Sequence, residues 1–157
     1  MPKAIIVCKS VSHGNTRKVA AVIGEVLGAR VVDPADIQAS DLTGYDLVGF
    51  GSGIFTGHFH QELREFVRSL PSGQAGAAFV FATSGFPDSG LTRFSRPLVK
   101  LVEEKGFRVI GTFSCRAFDT FAPFAIAGGI RKGRPDATDL DAARTFATTL
   151  RTRPATS

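Results

Sequence analysis

A short apolar run followed by a hydroxyl-rich loop and a helical pattern most constrains how this chain can fold. Residues 4–8 are apolar, and from Thr16 onward apolar residues recur every three or four positions as far as Leu27, with Gly28 after them. This spacing is typical of an amphipathic helix that ends at a glycine. The sequence therefore predicts a strand, a loop and a helix N-terminus in immediate succession.

The loop between that strand and that helix has the composition of an anion site. The first turn of a helix carries amides without intrahelical partners and a partial positive charge. Ser10, Ser12 and Thr16 add hydroxyl donors, Gly14 permits close approach of the backbone, and Asn15 tolerates the dihedral angles of a tight loop. We interpret the loop as a phosphate site. The alternative is that Thr16 or Ser12 simply caps the helix.

Two common nucleotide motifs are excluded by inspection. The chain contains no Gly-x-x-x-x-Gly-Lys-Ser/Thr sequence, which excludes the usual site for nucleoside triphosphate hydrolysis. The run Gly49–Gly53 resembles a dinucleotide fingerprint, but Thr56 occupies the position of the third glycine.

Predicted strands and helices alternate along the rest of the chain. The further strands are predicted at residues 29–33, 45–51, 77–82 and 108–114, and the further helices at 61–70, 92–105 and 138–150. Alternation of this kind predicts an α/β protein with a parallel sheet. Its length of 157 residues favours a single domain over 1–157. In a doubly wound sheet of order 2-1-3-4-5, the loops after strands one, three and four meet at one edge.

The second and third of these loops are rich in glycine and contain phenylalanine. Residues 52–59 are predicted to be a loop, in which Phe59 packs back on the following helix and Phe55 contacts a ligand. Residues 83–90 form the third loop and carry Phe86. Two such loops can enclose a flat ring, while the first loop holds a phosphate.

The sequence resembles the flavodoxin family. The run Ser12-His13-Gly14-Asn15-Thr16 is similar to the family's phosphate loop, which ends in Thr-Gly-Asn-Thr, and residues 45–52 and Ser84-Gly85 are similar to the segments that lead into its flavin loops. The resemblance implies a three-layer, doubly wound, five-stranded parallel sheet of order 2-1-3-4-5, and FMN as the cofactor.

The resemblance also assigns roles to individual residues. It implies that the FMN phosphate is bound by Ser10, Ser12, His13, Gly14, Asn15 and Thr16. One side of the isoalloxazine would face Ser52, Gly53, Ile54, Phe55 and Thr56, and its pyrimidine side would face Thr83, Ser84, Gly85 and Phe86. No catalytic side chain is required, because the flavin supplies the chemistry.

Two functions fit this assignment, and a third would apply without a flavin. The chain is either an electron carrier that docks to redox partner proteins or an FMN-dependent NAD(P)H:quinone-type oxidoreductase. We favour the carrier, since the sequence contains nothing that resembles a nicotinamide site. A colourless protein unable to bind FMN would instead be an interaction module.

The charge balance bears on partners and on potential. The net charge of +5 would attract acidic redox partners, but the basic residues are scattered, so we favour a solvated basic surface over a dedicated docking patch, and no nucleic-acid site is indicated. The resemblance implies that acidic family members repel the negative charge of the fully reduced flavin, which keeps their potentials low. This chain is basic, so its semiquinone-to-hydroquinone potential is expected to be less negative than theirs. The role of the basic segment Arg131–Arg134, after strand five, and the oligomeric state are left open.

The sequence also allows expectations for the cellular location, the two cysteine thiols and two of the histidines. No apolar run approaches the ~20 residues that span a bilayer, and the N-terminus does not have the pattern of a secretory signal, so we expect a cytoplasmic protein without membrane contact. Cys8 and Cys115 are expected to be free thiols, because the proposed fold separates their strands. His58 and His60 lie two positions apart, and we do not assign them a metal.

Overall fold

The structure is a computed structural model that describes residues 3–10, 15–55, 58–84, 91–116 and 137–152. Its strands are β1 Ala4–Lys9, β2 Arg30–Val32, β3 Leu47–Phe55, β4 His58–Phe59, β5 Ala77–Ser84 and β6 Arg108–Arg116. Its helices are α1 Asn15–Leu27, α2 Gln61–Ser69, α3 Leu91–Glu104 and α4 Ala137–Thr152, with short 3₁₀ turns at Pro34–Asp36 and Ala39–Leu42.

Five of the strands form a parallel sheet in the order β2-β1-β3-β5-β6. Counted along the chain without the short β4, this is the predicted order 2-1-3-4-5, and the prediction is confirmed. The order reverses between β1 and β3, so that the crevice expected for a ligand lies at their carboxyl ends.

The segment after the third parallel strand differs from the prediction. Residues 52–59 were expected to be a loop, but β3 continues to Phe55 and pairs antiparallel with β4, placing Ile54 opposite Phe59. Ile54 and Phe55 favour extended backbone, which accounts for the extra length of the strand. The predicted loop is therefore a β-hairpin whose two described arms end at residues 55 and 58.

One face of the sheet is covered by α2 and α3. Val7, Phe50 and Val80, from the three central strands, are buried in one cluster with side chains of both helices. The expected apolar face of α2 is confirmed, because Leu63, Phe66 and Val67 belong to this cluster and so does Leu70 just beyond the helix. Phe59 is 3% exposed and lies in the same cluster, as predicted.

The opposite face is covered by α1 and α4 and depends on two strand glycines. Phe79 and Phe81 of β5 point to this face, and a Cβ added to Gly49 or Gly51 of β3 would overlap the rings of Phe79 and Phe81 respectively. Two glycines of the run that resembles a dinucleotide motif therefore make room for two aromatic rings in the core.

The edge of the sheet at the amino ends of the strands is separate from the expected site. Tyr45 lies just before β3 there, with the Lys3 ammonium 4.8 Å from the centre of its ring. In the described part of the chain, no helix is both long enough and apolar enough to cross a membrane.

Candidate functional site

The carboxyl ends of three strands meet at one edge of the sheet. Lys9 at the end of β1 is paired in register with Ser52 of β3, and Gly53 is paired with Thr83 of β5. The register thus places the residues that follow the first, third and fourth parallel strands side by side, as the sequence predicted. Such an edge is where open α/β sheets bind their ligands.

The N-terminus of α1 opens onto this edge and is electropositive. The helix begins at Asn15, and the amide of Arg17 donates a hydrogen bond to the Ser10 Oγ at 3.3 Å, which ties the start of the helix to the end of β1. The first turn of α1 contains no acidic residue but does contain Arg17 and Lys18. Acidic side chains normally stabilise helix N-termini, so this composition costs helix stability and favours an external anion.

Two buried hydroxyls face one another between α1 and β5. The Oγ1 atoms of Thr16 and Thr83 are 2.7 Å apart, and the residues are 4% and 3% exposed. The two hydroxyls own two hydrogens and share one hydrogen bond, so one hydrogen has no acceptor among the residues that the structure describes. A buried donor left without an acceptor costs about 1–3 kcal/mol, and an acceptor on a bound ligand would remove that cost.

Ser52 fastens the β3–β4 hairpin to the start of α2. Its fully buried hydroxyl donates to the carbonyl of Gly53 at 2.8 Å and accepts from the amide of His60 at 2.9 Å. The ring of His60 in turn accepts from the amide of Glu62 through Nδ1 at 3.0 Å and caps α2. The single hydroxyl hydrogen of Ser52 is thus used within the protein, so Ser52 supports the backbone of the second loop.

An ion cluster beside the same edge was missed by the sequence analysis. The Lys9 ammonium lies 2.9 Å from a carboxylate oxygen of Glu62 and 3.5 Å from one of Asp33. The hydrogen bond to Glu62 raises the pKa of Lys9 above its ordinary value. The cluster connects the end of β1, the residue after β2 and the first turn of α2. The available signal was a lysine ending an apolar strand, but no sequence pattern identifies its partners.

The thiol of Cys8 is not suited to redox or nucleophilic chemistry. It is fully buried on the α1 face of the sheet, and burial raises its pKa to about 12. Cys115 lies in β6, which β3 and β5 separate from β1, as the fold prediction required.

Comparison with known proteins identifies the family. A family model for the flavodoxin domain matches residues 5–88. An uncharacterized protein of Methanocaldococcus jannaschii is 34% identical over 148 residues, which span 94% of this chain and 97% of that protein. The chain belongs to the flavodoxin family.

Solved structures share the fold of this flavodoxin-family chain. Oxidised flavodoxin 2 from Bacillus cereus matches with a TM-score of 0.69 and 18% identity, over 95% of this chain and 97% of that one. An NADH:FMN oxidoreductase in its apo form matches with a TM-score of 0.65 and 17% identity, over 98% and 92% of the two chains. At these identities the matches establish the architecture alone.

Membership of the flavodoxin family implies that the chain binds FMN. The described residues fit the phosphate end of that cofactor. The basic first turn of α1 suits a dianion, and the Thr16–Thr83 pair offers a buried donor without an acceptor among the residues described. Ser10 keeps its own hydroxyl hydrogen while accepting from Arg17.

The structure describes part of the set of predicted site residues. Side chains are described for Ser10, Thr16, Ser52 and Thr83, and the backbone of Gly53 lies with them at the carboxyl edge. Only the backbone is described for Asn15, Ile54, Phe55 and Ser84, all of which belong to elements that end or begin at this edge. The predictions for Ser12, His13, Gly14, Thr56, Gly85 and Phe86, and for the basic segment Arg131–Arg134, lie outside the described residues.

Proposed function

We propose that the chain is an FMN-binding electron-transfer protein that carries electrons between redox partner proteins. The observation that carries this proposal is the first turn of α1, which is basic, lacks acidic residues and lies at the meeting point of three strand ends beside a buried hydroxyl donor. This combination suits a doubly charged phosphate held by main-chain amides.

The proposed division of labour follows the three loops. Ser10, the loop 12–14, Asn15 and Thr16 hold the phosphate. Gly53 to Thr56 line one side of the isoalloxazine, on a hairpin that Ser52 keeps in place through His60. Residues 84–86 face the pyrimidine side, and the hydroxyl of Thr83 is directed to Thr16 at the start of α1. When bound, FMN supplies the one- and two-electron chemistry, and the protein supplies orientation and charge.

The carrier function is supported by the titratable side chains at the carboxyl edge of the sheet. Three titratable side chains described beside it are engaged within the protein. Lys9 is paired with two carboxylates, Cys8 is a buried, protonated thiol, and the His60 ring caps α2 through Nδ1. The net charge of +5 favours acidic docking partners. We also propose that residues 1–157 act as one domain in the cytoplasm.

The alternative function is an FMN-dependent oxidoreductase that takes electrons from a nicotinamide donor. The observation in its favour is the shared fold of the NADH:FMN oxidoreductase over most of both chains. That match extends the range of chemistry compatible with this architecture, because one fold supports several functions.

Reduction kinetics distinguish the two functions. The FMN-loaded protein is mixed with NADPH or NADH alone in a stopped-flow spectrometer, and the flavin absorbance at ~450 nm is followed. The carrier proposal predicts no bleaching until a flavodoxin reductase is added. Rapid bleaching by the nicotinamide alone would establish the oxidoreductase. A protein that remains colourless and does not bind added FMN would contradict both.

A further inference from the structure

The hydroxyl pair between α1 and β5 leads beyond the roles assigned by resemblance. Thr83 was predicted to face the pyrimidine side of the flavin. In the structure its Oγ1 lies 2.7 Å from that of Thr16, the residue in the first turn of α1. The β5 side chains alternate in direction, and Ala77, Phe79 and Phe81 all lie in the cluster on the α1 face. Thr83 has the same parity, which explains why its hydroxyl reaches α1.

The two hydroxyls can arrange their hydrogens in two ways. If Thr16 donates to Thr83, the remaining hydrogen belongs to Thr83. If Thr83 donates to Thr16, the remaining hydrogen belongs to Thr16, at the basic N-terminus of α1. An anion at that terminus favours the second arrangement, because the Thr16 hydrogen then points to a charged acceptor while its oxygen is satisfied by Thr83. The result is a chain of two hydrogen bonds, in which each bond polarises the next.

We propose that Thr83 is a positioning residue that orients the Thr16 hydroxyl toward the FMN phosphate and so contributes to selection of phosphorylated over unphosphorylated flavin. This inference rests on the proposed FMN site. Thr83 acts through Thr16 and does not itself touch the phosphate. Because the remaining hydrogen has no acceptor among the described residues, the pair is poised for a ligand that brings an acceptor and no donor.

The experiment compares FMN with riboflavin, which has the same ring and ribityl chain but no phosphate. The affinities of both ligands for the apoprotein are measured by quenching of flavin fluorescence, for the wild type and for Thr83→Val and Thr83→Ser. Valine keeps the shape of threonine and removes the hydroxyl, whereas serine keeps the hydroxyl. Thr112→Val is the matched control, because Thr112 is an exposed residue of the neighbouring strand β6, paired in register with Val80.

The expected result is a change in selectivity at unchanged stability of the apoprotein. Thr83→Val lowers FMN affinity about fivefold to tenfold, the range of one net hydrogen bond, and leaves riboflavin affinity the same. Thr83→Ser retains the wild-type ratio of the two affinities, and so does Thr112→Val. The midpoint of urea unfolding of apo Thr83→Val stays close to that of the wild type, since each protein has one buried hydroxyl hydrogen without an acceptor among the described residues.

Two outcomes overturn the inference while the proposed function stands, and a third overturns both. Unchanged affinities of Thr83→Val for both FMN and riboflavin overturn it while FMN binding stands. Equal weakening of both ligands places Thr83 at the ring, as the resemblance implied, and also overturns it. Loss of FMN binding by the wild type overturns the proposed function and this inference together. Should Thr83→Val fail to fold, Thr83→Ala and Thr83→Cys provide the same comparison of ratios.

Discussion

Replacing Gly51 with alanine tests the packing that connects β3 to β5. A Cβ at this position would overlap three atoms of the Phe81 ring, Cζ and both Cε atoms. The ring has little room to withdraw, because Phe81 is 1% exposed and stacks on Phe79 with a centroid separation of 6.0 Å. The backbone of β3 must therefore shift, and β3 pairs with both β1 and β5.

The magnitude follows from two opposing effects. Forcing extra atoms into a close-packed core costs about 1–3 kcal/mol, and overlap with three ring atoms belongs at the upper end of that range. Alanine in a strand is otherwise favoured over glycine by roughly 0.5–1 kcal/mol. We expect Gly51→Ala to lower the free energy of unfolding by about 2 kcal/mol.

Urea unfolding of the apoprotein, followed by circular dichroism, measures this change. Gly111→Ala is the matched control, because Gly111 lies in the same sheet but its added Cβ would meet Phe146 Cε1 at 3.0 Å and Leu150 Cδ2 at 3.2 Å. The Phe146 ring is only half-buried, so a small movement suffices and we expect a change within about 1 kcal/mol of zero. The double variant Gly51→Ala with Phe81→Leu should recover about 1 kcal/mol relative to the sum of the single changes. A Gly51→Ala protein as stable as the wild type, or strict additivity in the double variant, would refute the packing argument.

Four further predictions concern charge and protonation. Burial raises the pKa of Cys8 from 9.0 to about 12, so between these pH values the unfolded chain loses a proton that the native state keeps. The free energy of unfolding should therefore fall by about 1.4 kcal/mol per pH unit relative to that of Cys8→Ala. Equal slopes for the two proteins would contradict this. In a Cys115→Ser background, Cys8 should react with Ellman's reagent at pH 8 only as fast as the protein opens. Lys9→Met should cost up to about 1 kcal/mol of stability at low salt and less at 1 M salt, while Lys9→Arg keeps the ion pair with Glu62; a cost independent of salt would count against it. Potentiometric titration should give a less negative potential for the second one-electron step than in acidic flavodoxins, and a value as low as theirs would be the contrary result.

The layer arrangement was predictable because period and length carry it. The apolar residues of α2 recur at helical spacing, which indicates one buried face, and the apolar run of β5 is continuous, which indicates burial on both faces. The structure buries α2 on one face and β5 on two. The hairpin at Phe55 and Phe59 was not predictable in the same way, since glycines around Ile54 are equally compatible with a loop and with an extended strand. The choice depends on the partner strand, which local pattern does not specify.

The candidate site was likewise predictable only where its residues are close together in the sequence. A strand, a hydroxyl-rich loop and a helix N-terminus are contiguous in sequence, so the relation of Ser10 to the start of α1 at Arg17 could be predicted. The Thr16–Thr83 bond spans 67 positions and depends on the register between β3 and β5 and on the parity of Thr83. The position of Lys9 between two carboxylates was not predictable for the same reason, because Asp33 follows β2 and Glu62 lies in α2, both distant from Lys9 in the sequence.

The glycines of β3 show how one pattern can favour the wrong physical cause. Gly49 and Gly51 belong to a run that resembles a phosphate-binding motif, and only the missing third glycine argued against that motif. The structure gives the alternative reason, which is the two rings of β5 that cross the space their side chains would occupy. Strand pairing, which brings Phe79 beside Gly49 and Phe81 beside Gly51, decides between the two causes.

The most direct test of the FMN site is an amide NMR titration of ¹⁵N-labelled apoprotein with FMN. The account predicts that the largest shifts occur at the carboxyl edge, in Asn15 to Arg17 of α1, Ser52 and Gly53 of β3 and Thr83 of β5, with saturation at one FMN per chain. The amides of Leu27, Arg30 and Tyr45, which line a surface groove at the opposite edge, should stay unchanged. Shifts confined to that groove, or no shifts at saturating FMN, would contradict the account.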